Sequence, residues 1–235
     1  MKLGVVNLLI WIVGLILQAS VVFCVILRRE FPKYYSICLY MPCSLLADLG
    51  LYFSAERLGV DSQLYFYYYY YSDTLLSILL YFVIIHFYEH VFIEMNVNRY
   101  IRGAATFLLI STAIFSYLVV HQHQDSLTPR FAVELEQNLN FVGVVLIYLL
   151  WGAVLKLRET RMRLVQLILA MGIYFSGITA VYAVRNLFPA VEDSILRWAP
   201  PLIGLWLPAA WTYAFIRTSD DQRLLTSELE SKATA

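Results

Sequence analysis

The chain has 235 residues, of which 60% are hydrophobic and only 14% charged, and its mean hydropathy of +0.67 is that of a membrane protein. Its 17 basic and 17 acidic side chains cancel, which excludes the basic surplus that a nucleic-acid-binding protein uses against phosphates. Cys24, Cys38 and Cys43 all lie in apolar stretches and read as packed thiols, not as halves of disulfides.

In chain order, apolar segments run over residues 3–27, 34–54, 66–90, 103–121, 139–157, 164–184 and 198–216. Each is near the roughly 20 residues a helix needs to cross the hydrocarbon core, and without water to satisfy the backbone such segments are helices. The expectation is an all-α, polytopic membrane protein with seven transmembrane helices in one domain, residues 1–218, followed by a short cytoplasmic tail, residues 219–235. Lys2 ahead of the first segment is compatible with a signal peptide. The run continues unbroken to Leu27 without a small-x-small cleavage site, so it reads as a retained helix.

Short loops rich in lysine and arginine stay cytoplasmic. Alternate loops hold 12 basic residues, among them Arg28, Arg29, Lys156 and Arg158, against 5 in the other set, among them Lys2, Arg57 and Arg130. The N-terminus is therefore expected outside and the C-terminus in the cytoplasm.

The third segment enters from the outer face through Tyr65-Phe66-Tyr67-Tyr68-Tyr69-Tyr70-Tyr71. At about 100° per residue these rings cover every side of a helix, as an interfacial aromatic belt does. Asp73 follows about two turns in, and Asp48 sits at a similar depth in the preceding, antiparallel helix. Carboxylates at that depth need hydrogen bonds or a shared proton, and they mark candidate ligand sites. The expected ligand pocket comprises Asp48, Asp73, Tyr69, Tyr70 and Ser77, opens outward, and is capped by part of the tyrosine belt. The alternative is that both aspartates serve packing alone, bonded to tyrosine, serine or backbone groups.

At the inner end of the same helix, His86-Phe87-Tyr88-Glu89-His90 matches H-x-x-E-H. One class of zinc proteases uses this spacing to aim two histidines at one metal, with the glutamate as base. A third ligand is needed, and only Glu30, Glu94, Glu159, Asp220 and Asp221 fall on that side. An interfacial histidine pair bonded to Glu89 or to headgroups explains the pattern as simply, so His86, Glu89 and His90 are expected to hold no metal, and no cofactor is expected.

Gly172, Ser176 and Ala180 form a small-residue stripe at i, i+4 and i+8, suited to close helix packing. Pro200, Pro201 and Pro208 fall in the last segment, where Pro208 favours a kink. Gln18 and Gln166 supply amides for bonds between helices. Leu225 and Leu229 in the tail suit one short amphipathic helix.

Microbial rhodopsins attach retinal to a lysine of the last helix; residues 198–216 contain none, which rules out a Schiff base there. Asn98-Arg99-Tyr100 resembles the D/E-R-Y motif of G-protein-coupled receptors, and Leu207-Pro208-Ala209-Ala210-Trp211 their N-P-x-x-Y. Asn98, Leu207 and Trp211 replace the defining residues, so that resemblance is set aside. In length, orientation and charged tail the chain resembles small bacterial seven-helix membrane proteins, and the seven-helix sensory regions that precede histidine kinase or cyclase domains. That resemblance implies a multi-pass protein of the bacterial inner membrane. Its expected role is a non-catalytic sensory or regulatory module, or an accessory subunit, acting through a membrane or cytoplasmic signalling partner. The alternatives are a transporter of a small molecule or ion using Asp48 and Asp73, and a metal-dependent membrane enzyme using H-x-x-E-H.

Overall fold

The computed structural model describes residues 5–29, 31–59, 62–93, 98–121, 127–157, 161–187 and 195–218. Among them lie seven helices: α1 (Val5–Leu27), α2 (Tyr35–Leu58), α3 (Gln63–Val91), α4 (Asn98–His121), α5 (Leu127–Lys156), α6 (Met162–Leu187) and α7 (Ile195–Arg217). The described residues contain no β-strand. Six helices, α1 to α6, are long and apolar enough to cross a membrane. The seventh, which carries three prolines and three tryptophans, falls outside that set. Seven crossings were expected; length and apolarity support six. The proposed tail, 219–235, lies outside the described residues, as do the five acids considered above as third metal ligands.

Local chemistry sets the helix ends. Ser62 caps α3, its Oγ accepting from the Tyr65 amide at 3.2 Å. At the end of α2, Gly59 takes φ +80°, which a side chain resists, and its amide donates to the Ala55 carbonyl. α5 differs most from expectation, starting at Leu127 and not at 139. The run Glu134 to Asn140 is too polar to belong to an apolar segment, yet Ala132, Leu135 and Leu139 recur at helical spacing and are buried.

The order of packing is α1–α2–α3–α5–α6–α7, with α7 returning to α1, so six helices close a ring; α4 packs outside it against α3 and α5. Neighbours in sequence run antiparallel, as when Trp11 of α1 stacks on Tyr52 of α2 and Trp206 of α7 donates to the Ala170 carbonyl of α6. Where α4 drops out, α3 and α5 meet in parallel: Thr74 donates to the Ala132 carbonyl and Tyr88 to the Leu146 carbonyl. α1 and α7 also run in parallel, tied by Arg28 Nη2 to the Ile216 carbonyl at 2.6 Å.

In a lipid solvent, helices associate by close packing more than by hydrophobic burial. Gly172 admits the Trp151 indole of α5 to 3.4 Å from where a Cβ would stand, and Ser176 and the Tyr148 hydroxyl lie 3.2 Å apart. Two members of the small-residue stripe thus face α5, while Ala180 is exposed. Gly143 makes a tighter contact, since a Cβ there would fall 2.5 Å from the Phe175 ring. The helix of α7 continues through all three prolines.

One end of the ring is solid. Val25, Ile37, Ile84, Leu150, Ile168 and Trp211, one from each ring helix, belong to a single buried apolar cluster. At its rim Arg163 is fully buried, with Nε donating to the Thr218 carbonyl at 2.9 Å and its guanidinium 5.5 Å from the centre of the Phe215 ring. Outward faces of the helices carry large apolar residues such as Ile16, Phe23, Leu46, Phe82, Phe107 and Leu149, a surface suited to lipid.

Candidate functional site

The other end of the ring is hollow. A cavity of about 660 Å³ lies on the ring axis, lined by all six ring helices and by no residue of α4. Most of its residues come from the N-terminal halves of α1, α3, α5 and α7 and the C-terminal halves of α2 and α6, and it reaches down to Tyr40 and Leu80 at the edge of the apolar plug. A volume in this range suits a small organic ligand.

The cavity wall is built by helical spacing. On α2, Tyr40, Ser44 and Asp48 follow at i, i+4 and i+8 and point inward together. On α3 the same spacing brings Tyr65, Tyr69, Asp73 and Ser77 to the wall. Asp48, Asp73, Tyr69 and Ser77 therefore border one cavity. Tyr70 is not on its wall. It sits one residue further round α3, on the side of Thr74, whose hydroxyl donates to the Tyr70 carbonyl and to the Ala132 carbonyl of α5; that face is turned to a neighbouring backbone. The other belt tyrosines divide similarly: Tyr67 and Tyr71 stack on each other and are exposed, and the Tyr68 hydroxyl lies over Gly50 of α2.

The polar partners of the two aspartates differ from those expected. Asp48 accepts from Gln18 Nε2 of α1 at 2.7 Å, and the same amide nitrogen reaches Ser44 Oγ at 3.1 Å. Gln18 is only 8% exposed, and its Oε1 has no hydrogen-bond partner among the described residues. Asp73 faces Glu136 of α5 within hydrogen-bonding reach, and Glu136 in turn accepts from the Tyr182 hydroxyl of α6. Two carboxyls bond each other only when one carries a proton, which makes Asp73 and Glu136 a candidate pair for sharing one. Asn140, one turn further along α5, also lines the cavity and is buried.

Glu136, Asn140 and Tyr182 did not figure in the sequence reading, and Gln18 figured only as a packing amide. The signal for the first two was present, because Glu136 and Asn140 are four apart and interleave with the buried Ala132, Leu135 and Leu139 on the same helix. Gln166, the other amide considered, is half-buried and accepts from the Thr218 hydroxyl at 2.7 Å near the plugged end.

The H-x-x-E-H residues lie on α3 toward the plugged end, away from the cavity. His86 Nε2 donates to the Lys33 carbonyl at 2.8 Å and His90 Nδ1 to the His86 carbonyl at 3.1 Å, so each ring spends a nitrogen on backbone. Their ring centroids are 4.3 Å apart, and Glu89 pairs with Arg102 of α4. Among the described residues, no three His, Cys, Asp or Glu side chains gather closely enough to hold a metal ion. The three cysteines are free; Cys38 is buried and the other two half-buried.

Comparison with family models, with curated proteins and with solved structures gives no match to this chain.

Proposed function

We propose that this is a multi-pass protein of the bacterial inner membrane, N-terminus outside, that acts as a non-catalytic sensory or regulatory module by binding a small polar ligand from the outer face. The observation carrying this reading is a polar cavity, on the axis of a six-helix ring, that opens at one end and meets a packed apolar plug at the other. A ligand enters and leaves such a site by the same mouth, which supports binding over conduction. The 12-to-5 bias of basic residues supports placing the plug at the cytoplasmic face and the mouth outside.

A route for the signal is supported by α7. Its first half lines the cavity through Pro200, Pro201 and Gly204, and its far end is held by Arg28 and Arg163. A ligand that presses on the proline-bearing half shifts the anchored half at the cytoplasmic face, where a signalling partner reads it.

A second reading, a proton-coupled carrier, is favoured by one feature: Asp73 and Glu136 set two carboxyls together inside an open cavity. Proteoliposomes loaded with a pH-sensitive dye separate the two. The sensory module moves no protons under an imposed gradient, with or without ligand. Ligand-dependent proton flux that disappears in Glu136→Gln overturns the module in favour of the carrier.

A further inference from the structure

We infer that the cavity takes an organic ammonium ion, a primary or secondary amine carried on an apolar or aromatic body. The assignment rests on the binding role proposed above and names its ligand class. Carboxyl and amide oxygens from several helices supply acceptors to the cavity. Asp48 and the Asp73–Glu136 pair offer carboxyl oxygens from α2, α3 and α5, and Gln18 Oε1, on a side chain that is buried and lines the same wall, has no donor among the described residues. An unpartnered amide oxygen in a low-dielectric site costs free energy that a ligand N–H recovers.

Charge points the same way. Three carboxyl side chains, Asp48, Asp73 and Glu136, line the cavity against one guanidinium, Arg185, so acidic groups outnumber basic ones around a ligand. A bare metal ion is the wrong shape for the site, because these carboxyls do not converge into a coordinating group and the cavity is far larger than an ion. The rest of the wall suits an organic cation, since the aromatic residues Tyr65, Tyr69 and Trp11 line it, Trp11 stacked on Tyr52 with ring centroids 4.7 Å apart. Such rings attract ammonium groups and pack against hydrocarbon. A quaternary ammonium satisfies the charge but brings no N–H for Gln18, which makes donor count the discriminating property.

Titration of the purified full chain in detergent, followed by the intrinsic tryptophan fluorescence and by isothermal calorimetry, tests this with four probes of similar size. These are phenethylammonium, its N-trimethyl analogue, 3-phenylpropanol and 3-phenylpropionate. Phenethylammonium is expected to bind saturably and the other three at least about tenfold more weakly, the loss that goes with one missing charge-assisted hydrogen bond. Gln18→Met is expected to narrow the gap between phenethylammonium and its trimethyl analogue, while Asp73→Asn weakens both. Should Asp73→Asn fail to fold, Glu136→Gln gives the same reading. Tighter binding of phenylpropanol or phenylpropionate overturns the ammonium assignment and leaves a binding cavity for another ligand class. Equal binding of all four overturns it as partition into detergent. Absence of binding by every probe, in protein that unfolds cooperatively, overturns the assignment and the binding role together.

Discussion

Gln18 Nε2 donates to Asp48 Oδ2 at 2.7 Å, joining α1 to α2 at the cavity wall. This bond does not require a charge on Asp48, because an amide oxygen accepts as well. Asp48→Asn is therefore expected to keep the stability of the parent protein. Asp48→Leu removes the shorter of the two bonds made by the buried Gln18 amide, leaving Ser44 as its acceptor, and is expected to cost about 1–2 kcal/mol. Reversible unfolding in mixed micelles measures both, and equal losses for the two variants contradict the bond.

Tyr182, Glu136 and Asp73 meet from α6, α5 and α3, and a proton shared by the two carboxyls is expected there. Infrared spectra are expected to contain a protonated carboxyl band near neutral pH that shifts or disappears in Asp73→Asn and in Glu136→Gln. Tyr182→Phe removes one donor and is expected to cost about 1 kcal/mol. Spectra that are unchanged in both carboxyl variants rule out the shared proton.

At the α5–α6 contact, Gly143 leaves room for the buried Phe175 ring, which a Cβ would meet at 2.5 Å. Gly143→Leu overpacks that contact and is expected to destabilise by about 1–3 kcal/mol. Adding Phe175→Ala is expected to return part of the loss. Purely additive losses in the double variant show that the two residues do not share the space described.

The histidine pair on α3 gives a compositional prediction. Since His86 and His90 each bond a backbone carbonyl and Glu89 is engaged by Arg102, the purified protein is expected to contain little zinc. Elemental analysis that finds about one zinc per chain, lost in His86→Ala and His90→Ala, revives a metal-dependent enzyme.

Helix number and most helix ends were legible because a membrane leaves the backbone only one way to satisfy itself over 20 apolar residues. The inward face of α3 was legible too, since Tyr69, Asp73 and Ser77 repeat every four residues. Glu136 was not. Its polar neighbours Glu134, Gln137 and Asn138 lower the apolarity of the first turns of α5, so the helix was cut short before the residue that pairs with Asp73. The ring itself was also hidden, because displacing α4 and bringing α3 against α5 is a choice made by packing between helices that are not neighbours in sequence. Sequence proximity suggested Asp48 as the partner of Asp73, whereas Asp48 turns to Gln18 on the other side.

The central claim, a cavity reached from the outer face alone, is tested most directly by thiol accessibility at Ser77, which lines it. In a variant with Cys24, Cys38 and Cys43 replaced by alanine, Ser77→Cys is labelled with a membrane-impermeant maleimide in right-side-out and in inverted vesicles. Val154→Cys, buried in the plug, serves as the control that reacts from neither side. The account predicts labelling of Cys at position 77 from the outside only, slowed by phenethylammonium; labelling from the cytoplasmic side, or from both sides, contradicts it.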